Sequence, residues 1–387
     1  MSSAEERLRR QLPDPALLAA AAGLLMVGLV AVYSASAPLL AEEGRPTGGV
    51  ALRQGVYGLL GLAVAVGCAL VPPDLWRRFA PLILLAGLMA LVAVLLPGVG
   101  KAVGGAHRWL DLGPFQLQVS ELFKVAFVLY LAGYLVRKGE QRLATFNGGL
   151  LPILTIAGLS AGLLLAEPDF GAAAMVVGTG LVMGFLGGIR LRHLGAAALL
   201  TLPLAAWAIF GSEYRYQRVM AFLDPLAHPQ GSGFQLRQSL IAFGRGEYTG
   251  VGLGDGIQKL FYLPEPHTDF IFAVIGEELG LAGTLGVLLL YALLAQRGFA
   301  VAARAEDAYG RLVAQGLTFI VGFQAFAHIG VNLGLLPTKG LTLPLISYGG
   351  SSLVTTLAAL GIVAGIDRHG EAASSPRLRK ALAGAGA

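Results

Sequence analysis

Ten apolar segments separated by short polar stretches dominate the chain: residues 15–37, 55–72, 79–97, 119–136, 149–166, 171–188, 194–210, 270–295, 313–334 and 352–366. An α-helix needs about 20 apolar residues to cross roughly 30 Å of hydrocarbon. Most of the ten approach that length, and 352–366 is the shortest. The pattern predicts an all-α polytopic membrane protein with ten transmembrane helices. Ser34, Ala35, Ser36 and Ala37 imitate a signal-peptidase site at the end of the first segment. The apolar core before them is too long for a signal peptide, so an uncleaved span is expected. A long loop, 211–269, separates helices 7 and 8. It is rich in Gly, Pro and isolated aromatics, which predicts short amphipathic pieces against the membrane, such as 234–243, rather than a second folded domain. Residues 1–370 then form one membrane domain, and 371–387 a disordered cytoplasmic tail.

Composition supports this reading. Of 387 residues 55% are apolar and 13% charged, with a mean hydropathy of +0.69; an ordinary soluble domain carries about 25% charged residues. A lone cysteine, Cys68, excludes an intrachain disulfide or a cysteine metal cluster. The net charge of +5 is explained by position. With the N-terminus in the cytoplasm, 17 of the 28 basic residues fall in cytoplasmic segments, as the positive-inside rule requires. An even number of spans leaves both termini there. The basic surplus is therefore a topology signal, and nucleic-acid binding loses its support.

Few charges are left for chemistry. Glu121 and Lys124 stand three residues apart within the fourth segment, where each alone would cost about 2.5–3.5 kcal/mol. They share a helix face, either as a packing ion pair or as the lining of a cavity in which Lys124 meets an anion. Glu277 and Glu278 in the eighth segment read mainly as helix glue. Asp269, in LPEPHTDFIF, precedes a helical run that begins at Phe270. It suits an N-cap, a carboxylate whose basicity is raised by partial burial at a cavity mouth, or both. Arg108, Arg215, Arg218, Lys259 and Lys339 are cations able to hold a phosphate, or equally to touch lipid headgroups. The six histidines show no metal spacing. There is no Walker A sequence, and GLSAG (158–162), the one GxSxG match, lies inside an apolar segment and not at a strand-to-helix elbow. GVGLGDG, 250–256, resembles a nucleotide loop only superficially, because no strand precedes it.

The segments GVGLGDGIQKLFYLPEPHTDFIFAVIGEELG (250–280) and LPTKGLTLPLISYGGSSL (336–353) resemble those of the SEDS family of bacterial cell-wall proteins (shape, elongation, division and sporulation). So do HRWLDLGPFQLQVSELFK (107–124), EPDFG (167–171) and YRYQRVMAFLDP (214–225). The likeness spans nearly the whole chain, and the first two segments are closer to the division type than to the elongation type. It implies a ten-span peptidoglycan glycosyltransferase that polymerises lipid II and releases undecaprenyl diphosphate in septal wall synthesis. Asp269 would be its essential acid, acting as general base or as ligand of a divalent cation, Mg or Mn, with no organic cofactor. Arg108, Arg215, Arg218 and Lys259 become candidate diphosphate contacts, and Glu121 and Lys124 would line the central cavity. The implied partners are a class B penicillin-binding protein that cross-links the product, other division membrane proteins and membrane lipids. The implied location is the bacterial cytoplasmic (inner) membrane, with the active site on its extracytoplasmic face. A lipid II flippase and an elongation-type polymerase are the alternatives, and a scaffold that only recruits a transpeptidase is a third. Two positions depart from the pattern: Val119 stands where the family has Pro, and Glu167 where it has Gln.

Overall fold

The structure, a computed structural model, describes residues 13–373 except 104–105, 112, 114–115, 226, 228–230 and 261. Helix α1, Pro15–Glu42, starts where its sequence dictates. The Asp14 carboxylate accepts the N–H groups of Ala16 and Leu17, and Pro15 fills the first helical position. Helices α2 (Gly49–Leu70) and α3 (Pro73–Val94) follow, then three antiparallel strands in the order β1 (Gly100–Val103), β2 (Ala106–Asp111), β3 (Gln116–Gln118). Helix α4 is Val119–Leu143, and a π-helical turn, Phe146–Leu150, leads into α5 (Leu151–Ala166). The remaining elements are α6 (Phe170–Leu186), α7 (Leu191–Phe210), α8 (Glu213–Leu223), α9 (Ser232–Gly246), α10 (Ile271–Arg304), α11 (Ala308–Asn332) and α12 (Gly350–Ala373).

Every expected apolar segment falls on one of these helices, with ends shifted by a few residues. Among the described residues nine helices, the π turn counted with α5, are long and apolar enough to cross a membrane, and α6 is a shorter apolar helix. The sheet lies between the expected third and fourth spans and is an addition to the all-α expectation. Its strands are three to six residues long, too short for alternation to stand out in the sequence. The expected amphipathic piece 234–243 lies within α9. Helix α12 continues to Ala373, three residues into the expected tail; the rest of that tail, 374–387, lies outside the described residues.

Helices α4, α11 and α12 form the buried centre, whereas α2 and α7 expose most of their apolar windows, as helices facing hydrocarbon must. Glycine permits the closest contacts. A Cβ on Gly361 of α12 would stand 2.3 Å from the Ala65 carbonyl oxygen of α2, so only a bare Cα lets these backbones meet. In α10 the helical geometry breaks at Gly280, with φ 64°. The loop after α9 crosses there, and a Cβ would stand 2.3 Å from the Gly250 nitrogen. At the far end of α10, Arg297 and Arg304 pair with Asp14, and Arg304 also pairs with Asp367 of α12 at 3.0 Å. This cluster ties α1, α10 and α12 together at the end remote from Asp269.

Candidate active site

Asp269 is held through its backbone and freed at its side chain. Helix α10 has Phe270 at its N-cap position, with no side-chain cap on its own segment. The expectation that Asp269 caps this helix is therefore overturned. Asn332, at the end of α11, does that work instead: its Oδ1 accepts the Ala273 N–H at 3.1 Å, and its Nδ2 donates to the Asp269 carbonyl at 3.0 Å. The loop after α11 secures the two preceding carbonyls. Ser347 Oγ donates to the Thr268 carbonyl at 2.7 Å, and the Tyr348 N–H to that of His267 at 2.9 Å. With its backbone fixed, Asp269 lines a cavity of about 250 Å³.

Arg108 from β2, Arg215 and Arg218 from α8, and Lys339 from the loop after α11 line the same cavity, together with Asp169 and Gly340. Arg108 donates from Nε to the Glu167 carbonyl at 3.1 Å and from Nη2 to that of Pro168 at 2.5 Å. Arg218 donates to the Thr338 carbonyl at 3.1 Å, and its guanidinium stacks 4.5 Å from the centre of the Tyr214 ring. Lys339 Nζ sits 4.5 Å above the Phe170 ring. The Nε atoms of Arg215 and Arg218 are buried without a hydrogen-bond partner among the described residues. Four cations against two carboxylates leave the cavity positive, as a site for a diphosphate must be.

Burial sets the proton affinities. It pushes the Asp269 carboxyl from 3.8 up to about 7, Arg218 and Arg108 opposing and Glu265 reinforcing the shift. It pulls the Lys339 ammonium from 10.5 down to about 8, which Arg218 also favours and Asp169 resists. A carboxylate poised near neutrality is a stronger base than an exposed one and is still substantially ionised.

The structure gathers Asp269, Arg108, Arg215, Arg218 and Lys339, and leaves three expected site residues elsewhere. Lys259 is 2% exposed, and its Nζ is saturated by Glu278 at 2.5 Å, Ser34 at 2.8 Å and the Gly254 carbonyl at 2.7 Å. It is a buried structural cation, with no donor left for a diphosphate. Glu121 and Lys124 pair at 2.9 Å, and Lys124 also donates to Gln324 at 2.6 Å. They line a separate cavity of about 20 Å³. Gln324 in turn donates to the Thr342 carbonyl at 3.0 Å, so the pair braces the loop that carries Lys339. The glutamates read as glue hold the long loop: Glu277 accepts from Arg245 and from the N–H groups of Ile257 and Gln258. The loop 250–256 thus ends on the protein's own carboxylate.

Sequence reasoning missed Asp169 and Asn332. Asp169 caps α6 through the Ala172 N–H at 3.0 Å and lines the cavity; an acid placed before an apolar run was the available signal. Asn332 carried the signal of a polar residue inside an apolar segment.

Comparison with known proteins agrees with this architecture. A protein from Nitrosococcus halophilus described as "Probable peptidoglycan glycosyltransferase FtsW" is 49% identical, over 92% of this chain and 92% of its own. One of the same description from Alkalilimnicola ehrlichii is 47% identical, over 98% and 94%. Among solved structures, a chain described under "Structural coordination of polymerization and crosslinking by a peptidoglycan synthase complex" is 32% identical, with a TM-score of 0.76 over 92% of this chain and 98% of that one. The Thermus thermophilus rod shape determining protein RodA is 31% identical, with a TM-score of 0.69 over 92% and 97%. The family described as cell cycle protein, FtsW/RodA/SpoVE, matches residues 15–372, and the chain belongs to it.

Proposed function

We propose that the chain is a peptidoglycan glycosyltransferase of the division type, polymerising lipid II at the cavity beneath Asp269. The observation that carries this reading is one carboxylate of raised basicity sharing a cavity of about 250 Å³ with Arg108, Arg215, Arg218 and Lys339. Asp269 takes the proton from the acceptor sugar hydroxyl. That oxygen bonds to the anomeric carbon of the donor, the bond from that carbon to the diphosphate oxygen breaks, and undecaprenyl diphosphate departs. The cations stabilise the charge that develops on the leaving oxygen.

Mg or Mn fits this site only as an ion shared with the substrate. Among the described residues no three His, Cys, Asp or Glu side chains gather as a ligand set. Asp269 would supply one oxygen and the diphosphate the others, a common arrangement for Mg, and the ion would add positive charge beside the leaving group.

The chain spans the cytoplasmic (inner) membrane ten times in this reading, α6 included, with both termini cytoplasmic and Asp269 outside. The distribution of basic residues supports that orientation. So does the placement of the Asp14, Arg297, Arg304 and Asp367 cluster at the opposite helix ends from the cavity. The likeness to a chain from a polymerising and cross-linking complex supports a class B penicillin-binding protein as partner; other division proteins are further expected partners. A flippase is disfavoured because Lys124, a cation within the span that could meet an anionic headgroup, is engaged by Glu121 and Gln324.

The test is polymerisation of labelled lipid II by the purified protein, alone and with its cognate transpeptidase, with and without a chelator. Asp269→Asn should accumulate normally and form no glycan. Glycan of ordinary length from that variant would overturn the assignment.

A further inference from the structure

Glu167 has no role in the mechanism above, yet it is the most anomalous acid near the cavity. It sits in the turn between α5 and α6, is 0% exposed, and neither carboxyl oxygen has a hydrogen-bond partner among the described residues. Arg108 is close enough to bond this turn, but its donors go to the carbonyls of Glu167 and Pro168 and not to the carboxyl group. A buried ionised carboxylate beside an arginine that bonds elsewhere would be left without compensation. The neutral acid carries no such cost. It also has the shape and charge of the Gln that the family resemblance places here.

Two charged groups act on Glu167. Burial, reinforced by Asp169 on its own turn and only partly offset by Arg108 from β2, pushes the carboxyl from 4.5 up to about 8. Both neighbours line the cavity. A negative charge on Glu167 would therefore be felt by Arg108, one of the four cations facing the substrate, and by any anion that Arg108 holds.

We propose that Glu167 is a protonated acid beneath the cavity whose ionisation weakens the hold on the anionic diphosphate, making substrate affinity in this chain pH-sensitive where a Gln would leave it constant. The inference rests on the assignment of the cavity as the diphosphate site. Glu167 acts through Arg108 and touches neither substrate nor reacting atoms, so it is a positioning residue.

The experiment measures KM for labelled lipid II between pH 6.5 and 9.5 with the purified full-length protein, its Glu167→Gln variant and an Arg218→Gln control. Lys339 titrates in the same range, so the native chain and E167Q are also compared in a Lys339→Arg background. In that background KM of the Glu167 protein should rise severalfold as pH passes through 8, to a plateau about tenfold higher, as expected when the ionised form binds more weakly. Above pH 8, where Asp269 is already ionised, KM of E167Q should vary less than about twofold. Coincident pH curves for the two would overturn the inference, provided that R218Q raises KM. If R218Q also leaves KM unmoved, it is the assignment of the cavity that fails. Should E167Q not accumulate, Glu167→Met, uncharged at every pH, serves the same comparison. An infrared difference titration of the native protein against E167Q should show a protonated carboxyl band lost near pH 8, and no such difference at pH 6.5 would equally sink the idea.

Discussion

Asn332 holds the backbone of Asp269 from the neighbouring helix, donating to its carbonyl at 3.0 Å and accepting the Ala273 N–H one turn further on at 3.1 Å. One amide thereby closes the start of α10 and fixes the residue from which the carboxylate projects. Asn332→Leu leaves the Asp269 carbonyl without its donor and the Ala273 N–H with the Phe270 carbonyl alone, at about 1–3 kcal/mol for the unpaired group. The expected result is a lower melting temperature in detergent and a fall in kcat larger than any change in KM. A variant with native kcat would show that the carboxylate does not depend on this clamp.

The raised proton affinity of Asp269 has consequences for rate and for stability. Polymerisation should fall on the acid side of about pH 7, tenfold per unit where the base is protonated. Because the folded-state value lies above the ordinary 3.8, the stability linked to this group is complete below pH 3.8 and is lost as pH rises through 7. Asp269→Asn should therefore melt higher than the native protein above pH 7, and the gap should shrink toward pH 4. A calorimetric pH series on both proteins checks it; a gap independent of pH would contradict the burial argument.

Two cations from the same loop should respond differently. Lys259→Met leaves Glu278 buried without its partner, at about 3–5 kcal/mol. It should reduce accumulation and melting temperature, while the protein that folds keeps a native KM. Arg218→Gln should fold and raise KM for lipid II by about 10- to 100-fold, the loss of a charge-assisted contact. Steady-state kinetics with thermal melting separates the two, and a raised KM in K259M would return Lys259 to the substrate.

Asp14 lies at the other end of the molecule and is governed by its partners. Against the cost of its burial, hydrogen bonds from Arg297, the Leu17 N–H and Arg304 bring its carboxyl from 3.8 down to about 2. Its stabilisation is present above pH 3.8 and lost as pH falls through 2. Asp14→Asn should cost about 2 kcal/mol at neutral pH and progressively less as pH falls to 2 and below. Equal melting temperatures at pH 7 would refute it.

How much of this was legible beforehand depended on the range of the interactions. Spans are local, since each apolar run specifies its own helix. Asp269 was legible from its flanking prolines and the apolar run behind it, and Arg108, Arg215, Arg218 and Lys339 from their charge in loops. What Lys259 does was hidden, because its partners Glu278 and Ser34 lie 19 and 225 positions away and no spacing announces them. The cap of α10 was misread for the same reason: the sequence offered an acid next to the helix, while the fold brought an amide from 59 positions beyond Ala273. The fully buried carboxyl of Glu167 could be noticed as a departure from the family pattern, but its lack of partners is a property of the packed turn alone.

The ionic cluster of Asp14, Arg297, Arg304 and Asp367 clamps three helices at the face opposite the cavity. A bundle pinned at one face is a lever whose free arm is at the other. Over the roughly 40 Å from Arg297 to the start of α10, bent at Gly280, one or two degrees of tilt about the clamp carry Asp269 by roughly 1 Å, and a misplacement of that size can cost about a hundredfold in rate. The charges farthest from the chemistry are therefore part of its alignment, and loosening them should be read in turnover as well as in unfolding.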